Sequence, residues 1–224
     1  MMLEKVTKQR RYMDACAAAH ALDILGERWA LLVVRELMFG ARRFSDLRAS
    51  LPGISANVLT QRLEGLVASG VVTRRKLPPP APAQVYDLTE WGREAEPIFQ
   101  ALGRWGARSS AHDITLPFST TSFLLSLRTM LDPERARELA GTIGLKMGAE
   151  SFVGRLAEGR LEIEAGATDG ADVVFIAAPP ILVRVIHAKQ PLEPLEAAGQ
   201  LEIAGDRAFA VRFIALFAMP QKTR

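Results

Sequence analysis

Apolar positions recur with two different periods along the chain. Over residues 12 to 25, Ala17, Ala21, Leu22 and Leu25 fall on one side of a helix that Gly26 can stop. "RWALLVVRELMFG" is a second, strongly apolar helix ending at Gly40. "FSDLRASL" makes a short third helix, with Ser45 as its cap. "LPGI" is a turn, because proline cannot continue a helix and glycine accepts unusual backbone angles. Ser55 then caps a fourth helix that runs to about Ser69 and stops at Gly70. The period changes to two in "VVTRRKL" and "QVYDLT", which predicts a pair of strands. "PPPAP" between them is a stiff hairpin tip, since consecutive prolines cannot donate to a ladder. A long helix from Glu90 to Ser109 carries Ile98, Phe99, Leu102 and Trp105.

"SSAHDITLPF" has neither period and reads as a linker. Beyond it, "TSFLLSLRTML" is a helix stopped by "DPE", which starts another short one. "GTIGLKM", "SFVGRLAEG", "RLEIEAG", "DVVFIAA" and "GQLEIAG" read as strands with glycine turns. "PPILVRVIHA" and "DRAFAVRFIALF" read as helices, the first with prolines in its opening turn. The predicted organisation is a mostly α domain over residues 1–110, a linker over 111–118 and an α+β domain over 119–224.

Composition adds limits. Hydrophobic residues make up 49% of the 224, enough for a core. No run of about 18 apolar residues is free of charge, so a membrane partner is not expected. No apolar stretch follows the basic residues of the N-terminus, unlike a secretory signal. The single cysteine, Cys16, cannot form an internal disulfide and suits a reducing cytoplasm. Up to Ser110 there are 16 Lys and Arg against 11 Asp and Glu, and beyond it 12 against 14. A basic first domain can face phosphates.

The fourth helix carries the chemistry. Leu59, Leu63 and Leu66 recur on one side, and Asn57, Gln61 and Glu64 on the other. Amides near a helix start can hydrogen-bond base edges in a DNA major groove, although any polar residue serves on a solvated face. The order short helix, turn, longer helix, hairpin is a winged helix-turn-helix arrangement. In it Ser55, Asn57, Thr60 and Gln61 lie where groove contacts form. Arg62 lies nearer the packed side, which suits a phosphate contact or a structural pairing. Arg74, Arg75 and Lys76 on the hairpin can reach the backbone or the adjacent minor groove, or serve as a solvated strand end.

Cys16, "LGERWALLVVREL", "RFSDL", "LPGIS", "VLTQRLEGL", "SGVV" and "YDLTEWG" stand in the order of the HxlR-type winged-helix transcriptional regulators, relatives of the MarR group, which the chain resembles over residues 12 to 109. The resemblance implies a DNA-binding homodimer, usually a repressor, with two reading helices on a pseudo-palindromic operator in double-stranded DNA. It also implies an interface built from the first and last helices of the domain. Cys16 matches the cysteine that some members use to sense oxidants or electrophiles. Lys8, Arg10 and Arg11 precede it and can favour the thiolate, while a small residue packed in a helix is the favoured alternative.

From about Ser119 the chain resembles the sterol-carrier-protein fold, through "GRLEIEAG", "ADVVFIA", the helix after it and "GQLEIAGD" leading into the last helix. The resemblance implies an apolar ligand between sheet and terminal helix. Phe175, Leu182, Val185, Ile186, Phe209, Phe213, Leu216 and Phe217 are the lining candidates, with a packed core as the favoured alternative for each. His20, His112 and His187 stand outside metal-ligand spacing, and no phosphate-binding glycine loop or nucleophile elbow is present. A non-enzymatic regulator without cofactor or metal is expected. The alternative is an apolar-ligand carrier whose winged-helix domain serves dimerisation or protein interaction.

Overall fold

A computed structural model describes residues 11–78 and 82–223. The chain divides into two compact units between Glu94 and Ala95.

The first unit begins with α1 (Ala17–Leu25). This helix is shorter than the apolar spacing predicts. Asp14 accepts the Cys16 N–H and Asp23 accepts the Tyr12 N–H, both at 2.9 Å, and these side-chain bonds hold the preceding backbone out of the helix. The apolar α2 (Ala30–Glu36) follows, and a two-residue strand β1 (Arg42–Arg43) that no periodicity announces. The short helix α3 (Phe44–Ser50) starts one residue before Ser45. Ser45 is therefore not its cap, and its hydroxyl bonds Asp46 instead. Gly53 supplies the turn with a φ of +90°, a conformation that costs other residues a Cβ clash. Ser55 caps α4 (Ala56–Ala68). Strands β2 (Val72–Lys76) and β3 (Gln84–Leu88) then form the hairpin, and the antiparallel order is β1-β3-β2. Of the proline tip, residues 79–81 lie outside the described residues. Val33, Val34, Leu47, Leu59 and Leu63 pack α2, α3 and α4 into one core.

The unit closes on α5 (Glu90–Arg93). Thr89 accepts the Gly92 N–H at 3.0 Å and donates to the Gly70 carbonyl at 2.8 Å. A Cβ on Gly92 would lie 2.2 Å from the Val71 carbonyl oxygen. "LTEWG" is thus a corner that only glycine allows to close. The long helix expected from Glu90 to Ser109 is in fact two. Pro97 has no N–H for the carbonyl of Arg93, so the chain breaks and restarts as α6 (Glu96–Ala107).

In the second unit α6 packs against α7 (Thr120–Met130), and residues 109–117 between them are exposed and irregular. After α8 (Pro133–Ala136) come β4 (Gly141–Met147), β5 (Glu150–Ala157), β6 (Arg160–Ala165) and β7 (Val173–Ala177). The chain ends with α9 (Pro179–Ile186), α10 (Leu192–Ala197), β8 (Leu201–Gly205) and α11 (Arg207–Ala215). Two prolines hid α10, which buries Leu192 and Leu195. The sheet runs β6-β5-β4-β7-β8, antiparallel except for the β4 and β7 pair. Ile143, Leu145, Leu156, Ile163 and Phe175 are buried along one of its faces, following the period of two. The architecture is a winged helix-turn-helix unit followed by an α+β unit. Among the described residues, no helix is long and apolar enough to cross a membrane.

Candidate nucleic-acid interface

The geometry of α4 separates its two sides cleanly. Leu59, Leu63 and Leu66 are each at most 1% exposed. Asn57, Thr60, Gln61 and Glu64 are exposed, and their spacing of three and four residues makes one stripe along the helix. The Ser55 hydroxyl accepts the Val58 N–H at 3.3 Å, so this side chain fixes where the helix begins. Thr60 donates to the Ala56 carbonyl at 3.0 Å. Arg62 stands apart from the stripe. Its Nε donates to the Arg28 carbonyl and its terminal nitrogen meets Glu27, both at 2.9 Å. Of the two roles open to it, the geometry displays the pairing, which ties α4 to the turn after α1.

The wing divides its three cations. Arg75 donates to Asp87 at 2.8 Å, and the second carboxylate oxygen of Asp87 takes Arg93 at 2.9 Å. Arg74 and Lys76 lie on the other side of β2, exposed, with no side-chain partner among the described residues. The register across the small sheet puts Arg43, Val85 and Arg75 in one row. Arg43 is exposed and extends the basic edge. Sequence periodicity missed it because a two-residue strand has no period, although the pair of arginines before "FSDL" was visible.

Cys16 is exposed at the start of α1 rather than packed. The backbone N–H groups of Ala19, then Ala18, at the start of α1 hold its thiol below the usual range by favouring the thiolate. Arg11 is exposed before it, and Lys8 and Arg10 lie outside the described residues.

In the second unit the eight ligand candidates come together as a packed layer. Phe175, Leu182, Val185, Ile186, Phe213 and Phe217 are at most 1% exposed, with Leu216 and Phe209 at 5% and 8%. The Phe213 ring lies 6.0 Å from Phe175 and 5.0 Å from Phe217, the latter edge to face. His187 meets Phe217 edge-on, and its Nε2 lies 2.8 Å from the Ser126 hydroxyl. Burial, and then the charge of Lys189, push the His187 pKa down to about 4. A cavity of about 510 Å³ lies elsewhere, between α7, β5 and β6, with Arg128 and Arg160 in its wall and none of the eight candidates. Among the described residues, no group of three or more His, Cys, Asp and Glu is arranged to hold a metal ion.

Two family models match the chain: the HxlR-like helix-turn-helix over residues 24–113 and the SCP-2 sterol transfer family over 123–218. The uncharacterized HTH-type transcriptional regulator sll1512 of Synechocystis is 39% identical over 92 residues, 41% of this chain and 68% of its own length. The uncharacterized HTH-type transcriptional regulator YvaP of Bacillus subtilis is 40% identical over 85 residues, 38% of this chain and 79% of its own. The solved structure of the reduced form of the transcriptional regulator YodB from B. subtilis is 31% identical, covering 45% of this chain and all of that one, with a TM-score of 0.40.

Proposed function

The chain belongs to the HxlR-like helix-turn-helix family, and on that premise we propose that it is a sequence-specific repressor of transcription. It acts as a homodimer on a pseudo-palindromic operator, and its second unit takes up a small apolar effector. One observation carries the DNA reading. The exposed stripe of Asn57, Thr60, Gln61 and Glu64 stands back to back with a fully buried leucine side, so α4 can enter a groove without unpacking. Arg43, Arg74 and Lys76 supply phosphate contacts beside it.

Dimer formation has its own support. Leu22 on α1 and Tyr12 before it are about half exposed, and α6 exposes Ile98, Leu102 and Trp105 at successive turns. Apolar side chains at this spacing are suited to a two-fold interface, where each surface meets its own copy. The match to the SCP-2 sterol transfer family supports the effector, which acts only by binding the DNA-competent and incompetent forms unequally. The exposed, acidified Cys16 thiol fits a second input from oxidants or electrophiles.

The test is selection of bound sequences from a random duplex library, followed by titration of the selected and a scrambled duplex over a range of salt. The expected result is a two-fold symmetric site bound at least ~10³ times more tightly than the scramble, with affinity falling steeply with salt. Weak binding indifferent to sequence would instead favour a carrier whose winged-helix unit serves dimerisation or protein interaction.

A further inference from the structure

The turn after α1 meets α4 at two separate points. Trp29, the residue before α2, has a φ of +79°. This left-handed conformation is unfavourable for a bulky side chain and persists only where the surroundings dictate it. Two sets of contacts do so here. Arg62, in the middle of α4, donates from Nε to the Arg28 carbonyl and from a terminal nitrogen to Glu27, both at 2.9 Å. The Arg28 carbonyl belongs to the peptide whose orientation φ of Trp29 sets, so Arg62 grips that peptide directly. The Trp29 ring, with the Arg28 guanidinium 5.4 Å from its centre, reaches the turn between α3 and α4. A Cβ on Gly53 in that turn would lie 3.8 Å from the ring edge.

Burial of Leu59, Leu63 and Leu66 holds α4 against the core, but apolar attraction has no direction and leaves a helix free to rotate or slide a little. Charge-assisted hydrogen bonds do have direction, and the planar guanidinium fork fixes it most tightly. Arg62 directly follows Gln61, about 100° round the helix, so any rotation that breaks its bonds also swings the amide stripe. The Arg62 side chain is only 22% exposed, and Glu27 already matches its charge. It therefore differs from Arg74 and Lys76, which are exposed and without side-chain partners among the described residues.

We propose that Arg62 is a positioning residue for sequence readout, acting through Trp29. Its bonds to Arg28 and Glu27 hold Trp29 left-handed, the Trp29 ring steadies the Gly53 turn, and the two supports together aim Asn57 and Gln61. Arg62 makes no phosphate contact. The clamp is a property of the first unit alone, and its consequence for base recognition rests on the DNA reading above.

The experiment uses the full chain and the variants Arg62→Lys, Arg62→Gln, Glu27→Gln and Trp29→Gly, at a temperature where melts show each one folded. The selected operator and its scramble are titrated over a range of salt, and hydrogen exchange without DNA is followed at Ala30 and Val33, whose amides bond Glu27 and Trp29. Arg62→Lys keeps the charge but loses the fork. It should weaken operator binding about tenfold, as expected for loss of charge-assisted bonds, with scramble binding and salt slope unchanged. Arg62→Gln should do the same, and Glu27→Gln, which keeps the Arg28 bond, should follow with a smaller loss. In the Trp29→Gly background Arg62→Lys should cost little more, because the two act in one chain of contacts. Exchange at Ala30 and Val33 should rise in both Arg62 variants. A phosphate contact would give the opposite pattern, with Arg62→Lys near wild type, Arg62→Gln weaker on both duplexes and the salt slope lower by about one. That pattern, or unchanged discrimination in both Arg62 variants, overturns the proposal. Additive losses with Trp29→Gly overturn the route through Trp29, and unchanged exchange overturns the clamp. If selection yields no preferred sequence while exchange still rises, the clamp stands and the DNA reading is what fails.

Discussion

The guanidinium of Arg75 donates to the carboxylate of Asp87 at 2.8 Å across the antiparallel pair of β2 and β3. Asp87 is only 9% exposed and holds Arg93 on its other oxygen, so the carboxylate already carries two cations. Arg75 is therefore partly neutralised before any phosphate approaches, whereas Arg74 and Lys76 bring a full charge. Arg74→Ala and Lys76→Ala should each weaken binding to all duplexes and lower the slope of affinity against salt by about one. Arg75→Ala should change the slope by less and show mainly as a lower unfolding midpoint. Titrations of the three variants at several salt concentrations, with thermal melts alongside, decide it. Equal slope changes for all three would show that Asp87 releases Arg75 on DNA.

Gln61 stands in the middle of the exposed stripe on α4, one turn after Asn57. Gln61→Ala should cost ~1–3 kcal/mol on the selected operator and relax preference at one base pair, because a bidentate amide contact to a base edge is worth about that much. The check is a competition assay over single-base variants of the operator. A uniform loss across every duplex would assign Gln61 to the backbone.

His187 gives the second unit a pH limit. The unfolded chain takes up a proton at this residue near its ordinary value of 6.5, while the folded chain resists until about pH 4. Stability is thus lost as pH falls through that window, by ~3 kcal/mol in total, and the loss stops growing below it. Urea titrations of wild type and His187→Gln at pH 7 and pH 4 should differ by that amount, with the variant losing less. Parallel losses would show that the imidazole charges within the fold.

Leu102 and Trp105 are 48% and 76% exposed on α6. Leu102→Glu should leave the fold intact and raise the dimer dissociation constant by roughly a hundredfold, the factor that ~3 kcal/mol of desolvated charge gives. Sedimentation over a concentration series reads it directly. Wild-type association that persists unchanged in the variant would move the interface away from α6.

Much of this was visible in the residues. The leucines of α4 and the alternation of β4 to β8 announced their elements because a buried side chain repeats with the period of the backbone that carries it. The amide stripe was legible for the same reason, being what remains when the buried positions are removed. Pairings between distant residues were not. Arg62 meets Glu27, and Arg75 meets Asp87, across loops and strands whose approach no local pattern encodes. The break before Pro97 was written in one residue, yet the strong apolar spacing of Ile98, Leu102 and Trp105 outweighed it. The cavity beside β6 depends on where α7 lies against an edge strand, and the terminal-helix aromatics that drew attention instead fill the core.

The parallel pairing of β4 with β7 also orders events in time. Strands β4, β5 and β6 are joined by tight turns at Gly148 and Gly159, so each can find its neighbour within a short stretch of chain. Ile143 must wait for Val173, thirty positions on, and β8 joins the sheet only through β7. Closing that longer loop costs entropy before any contact rewards it. The three-stranded meander should accordingly form first in refolding, with the β7 and β8 edge gaining amide protection last, so that a slow step in the birth of this unit lies at the crossover through its middle.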